Sequence, residues 1–330
     1  MSGARPGRVP PVAPREPFVR HAHGVATPDP YRWMRNRADA RLIAYLREER
    51  AHYDEATARL EPLRTELRSE LARRLPTGED SLPWRRGPYS YLWRTPAGTE
   101  HALLCRRPAA GAGAAIEAAG GAGAEVVLDT GVLAASSPHF RYGVCEPSPG
   151  GRLVAYSVDL AGGELYELRF RDTSSGADLP ERIPDTSYGC AWASDSSSFF
   201  YVVPDAAYRP CRVLRHEVGT DPSRDAVVYG EADERFHVTV GATRSGAWIV
   251  VSTGSRDTNE QWLVPAGDPG SPARCVEGRR RGVEYFVEHL VPAGPVPREA
   301  FVILTNVGAP EYRVVAAPVD RPGGASWSEV

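Results

Sequence analysis

Apolar positions follow two different periods along the chain, helical between about Asp39 and Pro76 and strand-like after Pro83. Leu42, Leu46, Tyr53, Ala56 and Leu60 recur at helical spacing among Arg and Glu, which predicts an amphipathic helix with one apolar stripe. Pro62 suits the first turn of a second helix, where a missing amide hydrogen costs nothing. There Leu63, Leu67, Leu71 and Leu75 stand four apart until Pro76 stops the run. The pattern predicts a helical hairpin whose stripes need a partner surface. Ahead of it, residues 1–30 contain seven prolines, which bias their predecessors to extended conformations and predict an extended arm.

Beyond Pro83, short runs rich in Val, Tyr, Phe and Trp are cut by Gly, Pro, Asp and Ser, the pattern of β-strands separated by tight turns. Residues 109–124 are almost all Ala and Gly and predict a mobile loop insert. The strand runs repeat in fours. One set covers 142–145, 152–159, 166–172 and 179–184; the next covers 188–192, 198–203, 212–218 and 226–230. A third covers 237–240, 247–252, 261–266 and 273–277, and a fourth covers 284–287, 301–306 and 312–318 and then stops. The starts at 142, 188, 237 and 284 lie 46, 49 and 47 residues apart. Four short antiparallel strands per period of that length describe β-propeller blades, which bury their faces against neighbouring blades. Turn formers at equivalent places, Ser148-Pro149-Gly150-Gly151, Ser194-Asp195-Ser196-Ser197 and Arg244-Ser245-Gly246, keep the same register. An atypical earlier blade is predicted from 89–93, 101–107 and 125–128. The expected fold is mainly β: an incomplete β-propeller of about five blades, the last without its fourth strand, behind an arm and helical hairpin. The domains are expected at 1–80 and 81–330.

With 42% hydrophobic and 25% charged residues, 330 residues can bury a sizeable core. All 39 basic residues are Arg against 42 acidic ones, a net charge of -3, so neither nucleic acid nor another polyanion is the expected partner. The absence of lysine excludes a Walker-type phosphate loop, a Schiff base and a Ser-Lys nucleophile. Cys105, Cys145, Cys190, Cys211 and Cys275 are odd in number and far apart, which argues against a disulfide framework or thiolate zinc site and for reduced thiols in a cytoplasmic protein. Residues 1–17 lack a signal-peptide core and no run of 18 apolar residues follows, so neither export nor a membrane span is expected.

No serine lies in a Gly-x-Ser-x-Gly pattern; Ser245 and Ser326 have glycines nearby but fit an inter-strand turn and a chain end. His21 and His23 could offer two imidazoles to a metal, without a third ligand placed by spacing. The acidic stretch 231–234 and the run Arg279-Arg280-Arg281 lie between blades and read as solvated loops. Trp192, Trp248 and Trp262 read as core. No residue is assigned a catalytic, cofactor-binding or metal-binding role.

Several stretches nevertheless carry a family resemblance. Pro10-Pro11-Val12-Ala13, His23-Gly24, Asp29-Pro30-Tyr31-Arg32-Trp33-Met34 and the helix behind them resemble the N-terminal arm of the prolyl oligopeptidase family of serine peptidases. Leu153-Val154-Ala155-Tyr156-Ser157-Val158-Asp159, Gly163-Glu164-Leu165-Tyr166, Trp192-Ala193-Ser194-Asp195, Phe199-Phe200-Tyr201, Gly219-Thr220-Asp221-Pro222 and Leu304-Thr305-Asn306 are similar to the oligopeptidase B branch of that family. Gly150 departs from it where an aspartate is usual, and Glu311 where an asparagine is common. The resemblance implies a cytoplasmic peptidase that hydrolyses short peptides after Arg or Lys without a cofactor. It also implies a seven-bladed propeller acting as a size gate over a C-terminal α/β-hydrolase domain that carries the Ser-Asp-His triad. No triad motif has a match here. The chain is therefore expected to be a fragment, the arm plus an incomplete propeller, inactive alone, whose partner is the hydrolase domain. The alternative is a free-standing propeller that serves as an interaction scaffold without catalysis.

Overall fold

The computed structural model describes residues 9–109, 123–292 and 298–330. The first eight residues of the predicted arm and residues 110–122 of the Ala/Gly stretch lie outside the described residues. The chain divides into two compact units, Met1–Pro76 and Thr77–Val330.

In the first unit, strands Val19–Ala22 and Val25–Pro28 pair as an antiparallel hairpin within the segment read as a plain arm. His23 and Gly24 have φ of 52° and 76°. Two positive φ values in a two-residue loop give the turn whose twist matches right-handed strands. The usual Asn-Gly signal is missing, so the sequence pattern did not announce it. Trp33 is buried and donates Nε1 to Pro14 O at 2.9 Å, tying the arm to the turn Arg32–Arg35. Helix α1 (Ala40–Thr57) starts at Asp39, whose carboxylate accepts from Arg41 N. A single 3-10 turn, Ala58–Leu60, leads into α2 (Glu61–Arg74), with Pro62 in its first turn. Neither helix contains a buried residue, and Leu46, Tyr53, Leu63, Leu67, Leu71 and Leu75 stand exposed.

The second unit holds five antiparallel sheets among the described residues, here blades 1 to 5. Blade 1 comprises Tyr89–Thr95, Leu103–Pro108 and Glu125–Asp129, with Glu79–Asp80 and Trp84–Arg86 both paired to the first of these. Pro83, which has no amide hydrogen for a ladder, falls between those two short strands. Blade 2 runs Arg141–Pro147, Leu153–Asp159, Tyr166–Asp172 and Ile183–Thr186; blade 3 runs Cys190–Trp192, Ser198–Pro204, Pro210–Glu217 and Ala226–Gly230. Blade 4 runs His237–Ala242, Trp248–Gly254, Asn259–Pro265 and Arg274–Cys275. Blade 5 contains Tyr285–Leu290, Ala300–Thr305, Arg313–Pro318 and Ser328–Glu329. The expectation that the last blade lacks a fourth strand is corrected: Val315 pairs with Glu329 and Ala316 with Ser328. That strand is two polar residues long and forms on the free edge of its neighbour, so no apolar pattern marks it.

Four apolar layers each lie between consecutive blades. Tyr91, Leu104 and Leu128 of blade 1 meet Val154, Tyr156 and Val158 of blade 2. Ala155, Leu168 and Phe170 of blade 2 then meet Trp192, Phe199 and Tyr201 of blade 3. Phe200, Val202 and Val213 pack on Val238, Val240, Ile249 and Val251, and Leu263 and Val276 pack on Tyr285, Val287, Phe301 and Ile303. Every residue of Leu153–Asp159 is buried because both faces of that strand are covered. Each layer has a face from two repeats, so no blade completes a core alone. Gly189 marks how closely two blades approach: its φ is +93°, and an added Cβ would lie 2.7 Å from Thr239 Oγ1. Only glycine fits that place without strain.

Candidate functional site

In an antiparallel meander, the turn between the second and third strands and the link to the next sheet emerge at the same end. At this end of blades 3 to 5, segments far apart in sequence converge. Glu231 follows the outer strand of blade 3, Glu260 lies on the third strand of blade 4, and Arg279 lies on the link to blade 5. Arg279 Nη2 donates to Glu231 Oε2 and Glu260 Oε1, each at 2.6 Å, and Arg279 N donates to Glu260 Oε2 at 3.0 Å. Its guanidinium carbon stands 4.0 Å from the centroid of the Phe236 ring. Glu231 also accepts from Asp233 N at 2.8 Å, Thr253 Oγ1 at 2.9 Å and Tyr229 OH at 3.1 Å; Glu260 accepts from Trp262 Nε1 at 3.2 Å.

The expectation of solvated loops is thus corrected at Glu231 and Arg279. Glu231 is buried and Arg279 half-buried, while Glu234, Arg280 and Arg281 remain exposed. Two carboxylates taken out of water need a shared cation and further donors, and this cluster supplies both. Burial is the largest single influence and pushes Glu231 and Glu260 upward, but the hydrogen bonds and charge of Arg279 together with the other donors outweigh it, and both lie below the ordinary glutamate range. Burial raises the Tyr229 hydroxyl, and the two glutamates beside it add to the shift. A cavity of about 690 Å³ opens against this cluster. Phe236 and Arg279 line it, and Arg235, Arg256, Asp257 and Arg281 stand around them. Arg235 is paired with Asp233 at 2.6 Å.

Ser245 lies in the turn between the first two strands of blade 4, as its sequence context predicts. Its Oγ accepts from Ala247 N at 3.1 Å and lies 2.9 Å from both Thr243 Oγ1 and His289 Nδ1. His289, on the first strand of blade 5, is buried, and its Nε2 lies 2.9 Å from Glu299 Oε1, off the angle of a hydrogen bond. This Ser-His-Glu set lies among hydrogen bonds that join neighbouring blades. Arg244 N in the same turn donates to Glu288 Oε1 at 2.9 Å, and Gly150 N of blade 2 donates to Ser196 Oγ of blade 3 at 2.9 Å. These bonds tie a turn of one blade to the next.

Ser326 ends a 3-10 turn, Gly324–Ser326. His21 lies in the arm hairpin opposite Ala26, and His23 occupies its turn. Among the described residues no group of three or more His, Cys, Asp or Glu is placed to hold a metal ion. Trp192 is buried, and Trp248 and Trp262 are half-buried beside the layers they flank. The five cysteines are free thiols; burial raises Cys145 and Cys190, and pushes Cys275 up to about 11. Sequence reasoning missed a second buried polar cluster, in which Asp225 accepts from Tyr201 OH at 2.7 Å and lies 2.8 Å from His216 Nδ1. It also passed over Glu260, which stands just ahead of the predicted strand run 261–266 and is the second residue of the strand Asn259–Pro265.

Four- and five-stranded antiparallel sheets stacked face to face through shared apolar layers define a β-propeller. The chain belongs to the prolyl oligopeptidase family: residues 10–330 match the family model described as "Prolyl oligopeptidase, N-terminal beta-propeller domain". It is 33% identical to the uncharacterized peptidase y4qF of Sinorhizobium fredii over 97% of this chain and 41% of that protein. It is 32% identical to dipeptidyl aminopeptidase BI of Pseudoxanthomonas mexicana (97% of this chain, 44% of that protein) and 28% identical to Protease 2 of Moraxella lacunata (94% and 44%). Among solved structures, oligopeptidase B from Leishmania major superposes with a TM-score of 0.84 at 25% identity, over 98% of this chain and 46% of that one. Oligopeptidase B from Trypanosoma brucei gives 0.83 at 26% identity, over 97% and 46%. The chain thus spans less than half the length of these relatives. No helix among the described residues is long and apolar enough to cross a membrane.

Proposed function

We propose that this chain is the propeller region of an oligopeptidase B-like serine peptidase that hydrolyses short peptides after Arg or Lys in the cytoplasm. In this reading the propeller lies over a C-terminal α/β-hydrolase domain that carries the catalytic triad, and it admits short peptides while excluding folded proteins. The observation that carries the reading is the match of residues 10–330 to the propeller domain of this peptidase family, joined to relatives named as peptidases. Two exposed surfaces are consistent with it. The leucine stripe of α2 is uncovered, and Phe286, Leu304 and Val314 form an exposed cross-strand row on blade 5 that a further blade would cover.

The relatives' names include a dipeptidyl aminopeptidase and prolyl endopeptidases, so specificity is the part to test. Native protein captured from source cells with an antibody to the arm is expected to cleave a short fluorogenic peptide after Arg and to leave the matching Pro peptide intact. It is also expected to spare the same Arg site inside a folded protein. Preferential cleavage after Pro, or release of N-terminal dipeptides, would overturn the Arg/Lys specificity. Equal cleavage of the folded protein would overturn the gate.

A further inference from the structure

We infer that the cavity beside Arg279 is an oxyanion-binding site for a carboxylate or phosphate group, with Arg256 and Arg281 as the groups that meet the ligand. The inference is independent of the peptidase reading, since it rests on the propeller's own end.

The four arginines around the cavity are not equivalent. Arg279 is held by Glu231 and Glu260, and Arg235 by Asp233, so their charges are met within the protein. Arg256, in the turn between the second and third strands of blade 4, and Arg281, on the link to blade 5, have no carboxylate partner among the described residues. A planar guanidinium presents forked donors that suit a carboxylate or phosphate, and two such groups around one cavity provide more than a single surface charge.

The surroundings are fixed before any ligand arrives. Arg279 is clamped from two sides over the Phe236 ring. The turn bearing Arg256 is closed by Ser255 N, which donates to Thr258 O at 2.8 Å, and Gly282 N, next to Arg281, donates to Thr258 Oγ1 at 3.0 Å. This frame is preorganised, whereas the exposed Arg256 and Arg281 side chains lose rotamer freedom when the ligand binds. A volume of about 690 Å³ has room for a free oxyanion and equally for a small molecule or short peptide that carries one. The opposing charges are Asp257, whose Oδ1 accepts from Thr258 Oγ1 at 2.9 Å, and the surplus carboxylate where Glu231 and Glu260 share the single Arg279; together they limit how much anion the site tolerates.

The test is calorimetric titration of the 330-residue chain with inorganic phosphate and, separately, with a tetraglutamate peptide. At least one probe is expected to saturate with Kd below about 1 mM, and the Arg256→Gln/Arg281→Gln double variant to weaken it at least about tenfold. Phosphate alone saturating identifies a free oxyanion as the ligand, and the peptide alone identifies an acidic chain. Asp257→Asn is expected to tighten binding, a gain that misfolding does not produce. The inference is overturned if neither probe saturates below about 1 mM, if the double variant binds as well as the wild type, or if Asp257→Asn weakens binding.

Discussion

The indole of Trp192 is 1% exposed, packs edge-on against Phe170 and Phe199 with centroids 5.8 and 4.8 Å away, and donates Nε1 to Glu146 O at 2.8 Å. It therefore joins blade 3 to blade 2 by both packing and a hydrogen bond. Trp192→Ala is expected to destabilise the chain by about 3–5 kcal/mol, the range for truncating a buried aromatic. Urea unfolding followed by circular dichroism reads this directly; a loss under about 1 kcal/mol would place the ring outside the core. Trp192 was legible because it sits among small and branched residues in a repeating strand. Glu231 and Arg279 were not: a charged stretch between blades has the same composition whether water or a partner carboxylate meets it, and only the third strand of blade 4 brings them together.

Among the elements, the strands were legible because each shows its own short apolar run and turn. Elements that owe their existence to a neighbour were harder to see. Ser328–Glu329 forms on an open strand edge, and the arm hairpin turns on His23-Gly24 rather than a stronger turn signal. The leucine spacing of α2 correctly marked a helix, but spacing alone does not say what covers the stripe. At this scale Arg279 links blades 3, 4 and 5. Arg279→Met leaves two buried carboxylates unpaired and is expected to cost about 2–4 kcal/mol near neutral pH, below the full range for a buried pair because Arg279 stays partly solvated. The glutamates are depressed in the folded state, so their contribution is fully present above the unfolded value of about 4.3 and is lost as pH falls through the folded values. The stability gap between wild type and Arg279→Met is therefore widest near neutrality and closes below about pH 4.3. Denaturation midpoints that keep the gap constant between neutral and acidic pH would show that these carboxylates do not depend on Arg279.

For the whole molecule, the period of 46 to 49 residues revealed the architecture, since four strands per period leave no other way to bury both faces of strands such as Leu153–Asp159. Function was legible only through resemblance, because a propeller's fold is shared by proteins with unrelated activities. The measurement that tests the central claim most directly is fluorophosphonate labelling of source-cell protein captured through an antibody to the arm, read as intact mass. The account expects a labelled species well above 35.9 kDa. A captured species of about 35.9 kDa that takes up no probe would contradict it and make a non-catalytic propeller the protein the cell uses.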